Sequence, residues 1–145
     1  MNVRTGFNEA SPVIRKEISV KKLLLLATAV VLLLPGSALA DAHSQIVLAG
    51  QHAGLAAEST DIALVRAHLH HALNCLVGPG GPGFDAHEMN PCANAGNGAI
   101  PDAGVLKRLP LQSAAAEARA GIAEPDLAKA QLHALKTVEM LIKAE

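Results

Sequence analysis

The sequence predicts an all-α protein, a small antiparallel bundle of about four helices carrying a long Gly/Pro-rich, disulfide-tied loop. Three observations predict it. Beyond residue 40, apolar residues recur at steps of three and four, no strand-like alternation of comparable length occurs, and turn or capping residues separate the periodic segments.

The first helix, from about Ala42 to Ala57, carries Ala42, Ile46, Ala49, Ala53 and Ala56 on one face. Ser59-Thr60-Asp61 interrupts it and supplies an N-cap for a second helix with Ile62, Val65, Leu69, Ala72 and Leu76 in line. So short a connection requires an antiparallel hairpin. Gly78 ends the second helix and opens a stretch to Gly104 with seven glycines, four prolines and no period, an irregular loop that Phe84 is expected to plug onto the bundle, the alternative being that the ring binds a ligand. Pro110, at a first-turn position, and the run Leu111 to Ala120 predict a third helix that Gly121 terminates. Pro125 opens a fourth, with Leu127, Ala130, Ala134, Val138 and Leu141 forming its apolar stripe. The order predicts an up-and-down bundle with the loop as its middle crossover, and facing alanines would bring the helices close together.

Residues 1–40 predict a signal peptide with an amino-terminal extension, leaving 41–145 as a single helical domain. Arg15, Lys16, Lys21 and Lys22 precede an apolar run from Leu23 to Leu34, which Pro35-Gly36 closes before Ala38-Leu39-Ala40. That is the charged, apolar and small-residue order of a cleaved export signal. A twelve-residue run is short of the roughly 20 residues a membrane-spanning helix needs. The polar stretch from Met1 to Ile14 is either an extended signal or a misplaced start. The expected location is periplasmic or secreted, with no membrane attachment after cleavage.

The segment after Ala40 retains seven basic and eleven acidic side chains, a formal charge of −4, and all seven histidines. A mildly acidic chain with Phe84 as its sole remaining aromatic residue lacks both the basic footprint and the stacking surface of a nucleic-acid binder. No glycine loop joins a strand to a helix to cradle phosphate, and no serine or cysteine stands in a nucleophile's sequence context, so the expected function is not enzymatic. Cys75 and Cys92 are expected to form a disulfide in an oxidising compartment, the alternative being a pair of thiolate metal ligands. Their spacing is neither CxxC nor CxxCH, which excludes c-type haem attachment.

Histidine placement carries the functional expectation. Folding the hairpin about residue 60 sets His52 opposite His68, and His71 lies one turn further along the same face. Three imidazoles converging between two helices suit Cu, Zn or Ni, whereas Mg or Ca would call for more carboxylates. Glu58 lies near enough in sequence to add an oxygen; His70 points elsewhere. The alternative is that the rings are packing residues bonded to carbonyls. Cleavage after Ala40 would also expose Asp41-Ala42-His43, a free amine, two amides and an imidazole in the third position, which resembles the amino-terminal copper and nickel motif of some extracellular proteins. Asp85-x-His87-Glu88-Met89 in the loop either closes over an ion or is merely solvated. His133, between Lys129 and Lys136, reads as a surface residue.

The pairing of Gln51-His52-Ala53 with His68-Leu69-His70-His71-Ala72 resembles the small metal-binding proteins of bacterial periplasms, His-rich four-helix bundles that take up copper and other divalent ions. The likeness covers residues 42–77. Together with the histidine placement it leads to the expectation of a metal-binding protein that buffers or delivers Cu(II) or a similar divalent ion (Zn, Ni) through His52, His68 and His71 between the helices, with His43 at the new terminus as a further candidate. The competing expectation is a non-catalytic interaction module that offers the Cys-bracketed loop, Asn74-Cys75 through Pro91-Cys92, to a periplasmic protein partner.

Overall fold

Beyond the amino-terminal methionine, the computed structural model describes residues 41–145. The export signal and its extension lie outside the described residues. Among the described residues five helices follow one another: α1 (Ala42–Glu58), α2 (Ile62–Val77), a single turn α3 (Ala99–Asp102), α4 (Val105–Ala123) and α5 (Leu127–Ala144). Asp41, Asp61 and Asp126 cap α1, α2 and α5, each accepting a backbone N–H from the first turn it opens.

The long helices run up, down, up and down. Arg66, near the start of α2, donates to the Glu124 carbonyl at the end of α4. Gln131, near the start of α5, donates to the Ser59 carbonyl in the α1–α2 turn. Lys107, in the first turn of α4, reaches the Glu145 carbonyl. Each helix therefore packs against two antiparallel neighbours, α1 on α2 and α5, and α4 on α2 and α5. The expected stripes face inward: Ile46, Ala49, Ala53 and Ala56 of α1 and Val65, Leu69, Ala72 and Leu76 of α2 are all fully buried. Among the described residues twelve of the twenty-two buried apolar side chains are alanine, so close backbone approach, more than bulky interdigitation, fills the interior.

The second half departs from the sequence expectation at three points. Pro110 lies inside α4, not at its first turn, because the helix begins five residues earlier at Val105. A proline there leaves the carbonyl four residues back, that of Leu106, without its helical partner. Leu106 is 93% exposed, so water can satisfy that carbonyl. Gly121 does not terminate α4, which continues to Ala123. It is buried where α4 crosses α2 and α5, and a Cβ on it would lie 2.6 Å from Leu69 Cδ1 and 3.0 Å from His133 Cβ. Close packing is what requires this glycine. Gly121→Val is expected to destabilise the fold by about 1–3 kcal/mol through overpacking, read as a lowered midpoint in thermal melts followed by circular dichroism. Finally, the stretch from Gly78 to Gly104 contains α3, in which Pro101 is tolerated because it occupies the first turn.

That stretch is anchored from within. Cys75 and Cys92 form a disulfide with Cα atoms 5.1 Å apart. The adjacent Asn74 is fully buried. Its amide donates to the carbonyls of Asp85 (2.9 Å), Met89 (3.2 Å) and Glu88 (3.4 Å). Its oxygen accepts the Asp85 N–H at 2.9 Å. At the far end Asp102 accepts from the Asn97 backbone N–H and from the side chains of Asn97 and Gln45. Gly78 caps α2 at φ +68, pressed against Asn97 so closely that a Cβ would fall 1.6 Å from the Asn97 oxygen. Phe84 packs against the core as expected. Among the described residues no helix is long and apolar enough to cross a membrane.

Candidate metal centre

The α1–α2 hairpin brings His52, His68 and His71 together. One ring nitrogen of each lies within 4.8 Å of the other two. The ring centroids are separated by 5.7 Å (His52–His68), 5.1 Å (His52–His71) and 5.6 Å (His68–His71). Nδ1 of His52 stands 3.5 Å from Nδ1 of His68, close to the nitrogen–nitrogen spacing of roughly 3.3 Å expected of two imidazoles on a tetrahedral ion with bonds near 2.0 Å. The local cause is the tight Ser59-Thr60-Asp61 turn, which sets the helices antiparallel with residue 52 across from 68. The helical step of three adds His71.

His71 is the most buried of the three and has a second partner. Its Nε2 lies 3.5 Å from the Glu88 carboxylate, while its Nδ1 is buried with no hydrogen-bond partner. A carboxylate at Nε2 favours the tautomer with the proton on that nitrogen and leaves the Nδ1 lone pair free. This is the outer-shell arrangement common behind metal-ligating histidines. Among the described residues none of the three rings is engaged by a backbone carbonyl, as the packing alternative would have it; their polar contacts are His52 with His68 and His71 with Glu88.

Electrostatics favour the neutral, ligating form of His52 and His71. Burial holds the His52 imidazole below its ordinary pKa, and the nearby His71 and His68 rings press the same way. For His71, burial is again the largest cause and His68 adds to it; the Glu88 carboxylate opposes both without reversing the shift. Because folded His52 and His71 resist protons that the unfolded chain accepts at about pH 6.5, the stability these two groups contribute to the metal-free protein is fully present above that pH. That contribution is lost as the pH falls from there toward the lowered folded values. Thermal melts in chelator are expected to show a lower midpoint near pH 5.5 than near pH 7.5, with a smaller difference in His52→Asn/His71→Asn.

The other sequence-predicted ligands lie apart. His43 is exposed in the first turn of α1, outside the cluster. Its backbone N–H is donated to Asp41 Oδ1 at 3.1 Å, and the Asp41 N–H is donated to the Ala95 carbonyl. The amino-terminal motif would need these same nitrogens as ligands, so it and the capped helix exclude each other. Glu58 is exposed at the end of α1 and contributes nothing to the cluster; the neighbouring acid is Glu88, from the far side of the disulfide-bearing segment. His70 turns toward Asp85, 3.9 Å away. His87 and Met89 are exposed. His133 is not a surface residue: its Nδ1 meets Glu117 at 2.7 Å, both side chains three-quarters covered, because this face of α5 packs on α4.

Asn74, which places Glu88, was not singled out by the sequence pattern. The only signal for it was its position next to Cys75 at the start of the Cys-bracketed unit. The cystine itself is consistent with an oxidising, exported location. No protein-family model matches the chain, and neither does any curated protein or solved structure.

Proposed function

We propose that this protein binds a divalent transition metal ion through His52, His68 and His71, and that it buffers or delivers Cu(II) or a similar ion in the periplasm. The observation that carries this reading is the convergence of three ring nitrogens within 4.8 Å, with no carbonyl competing for them. Neutral imidazoles favour copper, zinc and nickel over hard cations, and at such a site copper binds tightest of the three. His52 and His68 are only partly buried, which gives an ion a route in and out. The fold already has a continuous core and a cystine, so a bound ion would be cargo more than scaffold. Glu88 holds His71 in the ligating tautomer, and Asn74 holds Glu88.

Calorimetric titration of the oxidised protein with Cu(II), and separately with Zn(II), tests this. One ion per chain is expected, with affinity falling as the pH drops through the histidine range, because a protonated ring cannot ligate. Absence of saturable uptake of either ion removes the reading.

A second reading, a partner surface on the Cys-bracketed segment, draws on the rigidity that Asn74 and Asp102 give residues 85–97. Capture of a periplasmic protein that depends on those residues and is indifferent to chelators would favour it over metal handling.

A further inference from the structure

A cavity of about 900 Å³ lies between α4, the first part of the Cys-bracketed stretch and the segment that follows that stretch, and its chemistry is unlike that of the histidine cluster. From α4 come Arg108, Gln112, Ala115 and Arg119. Steps of four, three and four put them on one helix face, with the two arginines about 16 Å apart along the axis. The facing wall includes Val77, Pro82 and Ile100.

Both guanidinium groups are held in place by backbone. Arg119 Nη2 donates to the Pro82 carbonyl at 2.7 Å. Arg108 Nε donates to Ala103 at 3.0 Å, with a longer contact from Nη2 to Pro101 at 3.5 Å. Gly83, at φ +89, makes room for Arg119: a Cβ there would fall 2.9 Å from its Nε. These contacts use one and two of the five N–H groups that a guanidinium carries. Among the described residues neither arginine forms an ion pair with a carboxylate. The groove thus has an apolar wall and a fixed, charge-unpaired cation toward each end, in a domain whose overall charge is negative.

We infer that the groove binds an elongated organic anion, an apolar chain bearing carboxylates, with Arg108 and Arg119 each taking an anionic end. The planar guanidinium fork matches a carboxylate bidentately, and the apolar wall rewards a hydrocarbon body that a small inorganic anion lacks. This site is independent of the metal cluster.

The probe is decanedioate, titrated calorimetrically into the full chain, with the matching ten-carbon diol and acetate as controls. One decanedioate per chain is expected, with the diol and acetate at least about tenfold weaker. Arg108→Gln and Arg119→Gln are each expected to weaken it about tenfold, in line with the loss of a charge-assisted pair. Since Arg119 also braces Pro82, Gln112→Glu is the second variant. It sets a like charge between the arginines without removing either, and is expected to weaken decanedioate by a similar factor while Cu(II) uptake is unchanged. Absence of saturable decanedioate binding, equal binding of the diol, or full binding by the Arg108→Gln/Arg119→Gln double variant would overturn the inference.

Discussion

Alanine at His52, His68 and His71 together is expected to abolish uptake of Cu(II) or Zn(II) by the folded chain. Each single replacement should cost more than the roughly 10- to 100-fold that loss of an outer-shell partner costs, because it removes a donor outright. Glu88→Gln falls within that 10- to 100-fold range: the side chain keeps its shape, but the charge that fixes the His71 proton on Nε2 is gone. The ordering is diagnostic. A site assembled by the hairpin requires ring losses to exceed the Glu88 effect, and His133→Ala, whose ring is committed to Glu117, to leave affinity unchanged. Isothermal titration at about pH 7.5 reads all of these. Full retention of stoichiometric binding by the triple variant would sink the metal proposal, while a loss of binding in Glu88→Gln equal to the triple variant's would make Glu88 a direct ligand.

Asn74→Ala is expected to be among the most destabilising single changes in the chain, by about 3–4 kcal/mol. Four hydrogen bonds link this buried side chain to Asp85, Glu88 and Met89, each contributing about 0.5–1.5 kcal/mol net, and its removal strands buried backbone groups. Replacing Cys75 and Cys92 by alanine removes a seventeen-residue cross-link, with an expected cost of about 3 kcal/mol. For a domain of about a hundred residues either loss lowers the melting midpoint by roughly 12–25 °C. Because Asn74 and the cystine clamp the same segment, the combined variant should lose less than the sum of the two. Strict additivity in thermal or denaturant unfolding would show instead that they act on separate structures. Asn74→Ala should also weaken metal binding by about the factor seen for Glu88→Gln, since it releases the backbone that presents the carboxylate.

The hairpin was legible in the sequence because everything that determines it is local. A step of three and four marks the buried face, Ser59-Thr60-Asp61 marks the turn and the start of the second helix, and so short a turn leaves one antiparallel register. His52, His68 and His71 could therefore be placed together by arithmetic on residue numbers. Long-range contacts were not legible. Pro110 looked like a helix start because a proline usually is one, yet an exposed helix face tolerates the missing bond. Gly121 looked like a stop because glycine ends many helices, whereas its reason is the approach of Leu69 and His133 from two other helices. Glu88 could not be preferred over Glu58 as the acid near the rings, since its position depends on Asn74 hydrogen-bonding residues eleven to fifteen positions ahead. The same blindness made His133 a surface residue, when α4 in fact covers it.

All three imidazoles belong to one helical hairpin, within about twenty consecutive residues. Closing so short a loop costs little entropy, and contacts of low sequence separation form early in folding. An ion that met the chain while it was still disordered would find its donors tethered near one another, and capturing them would draw α1 and α2 together ahead of α4 and α5. Cargo would then act as a folding nucleus, and refolding of this chain should run faster in the presence of the ion than in chelator.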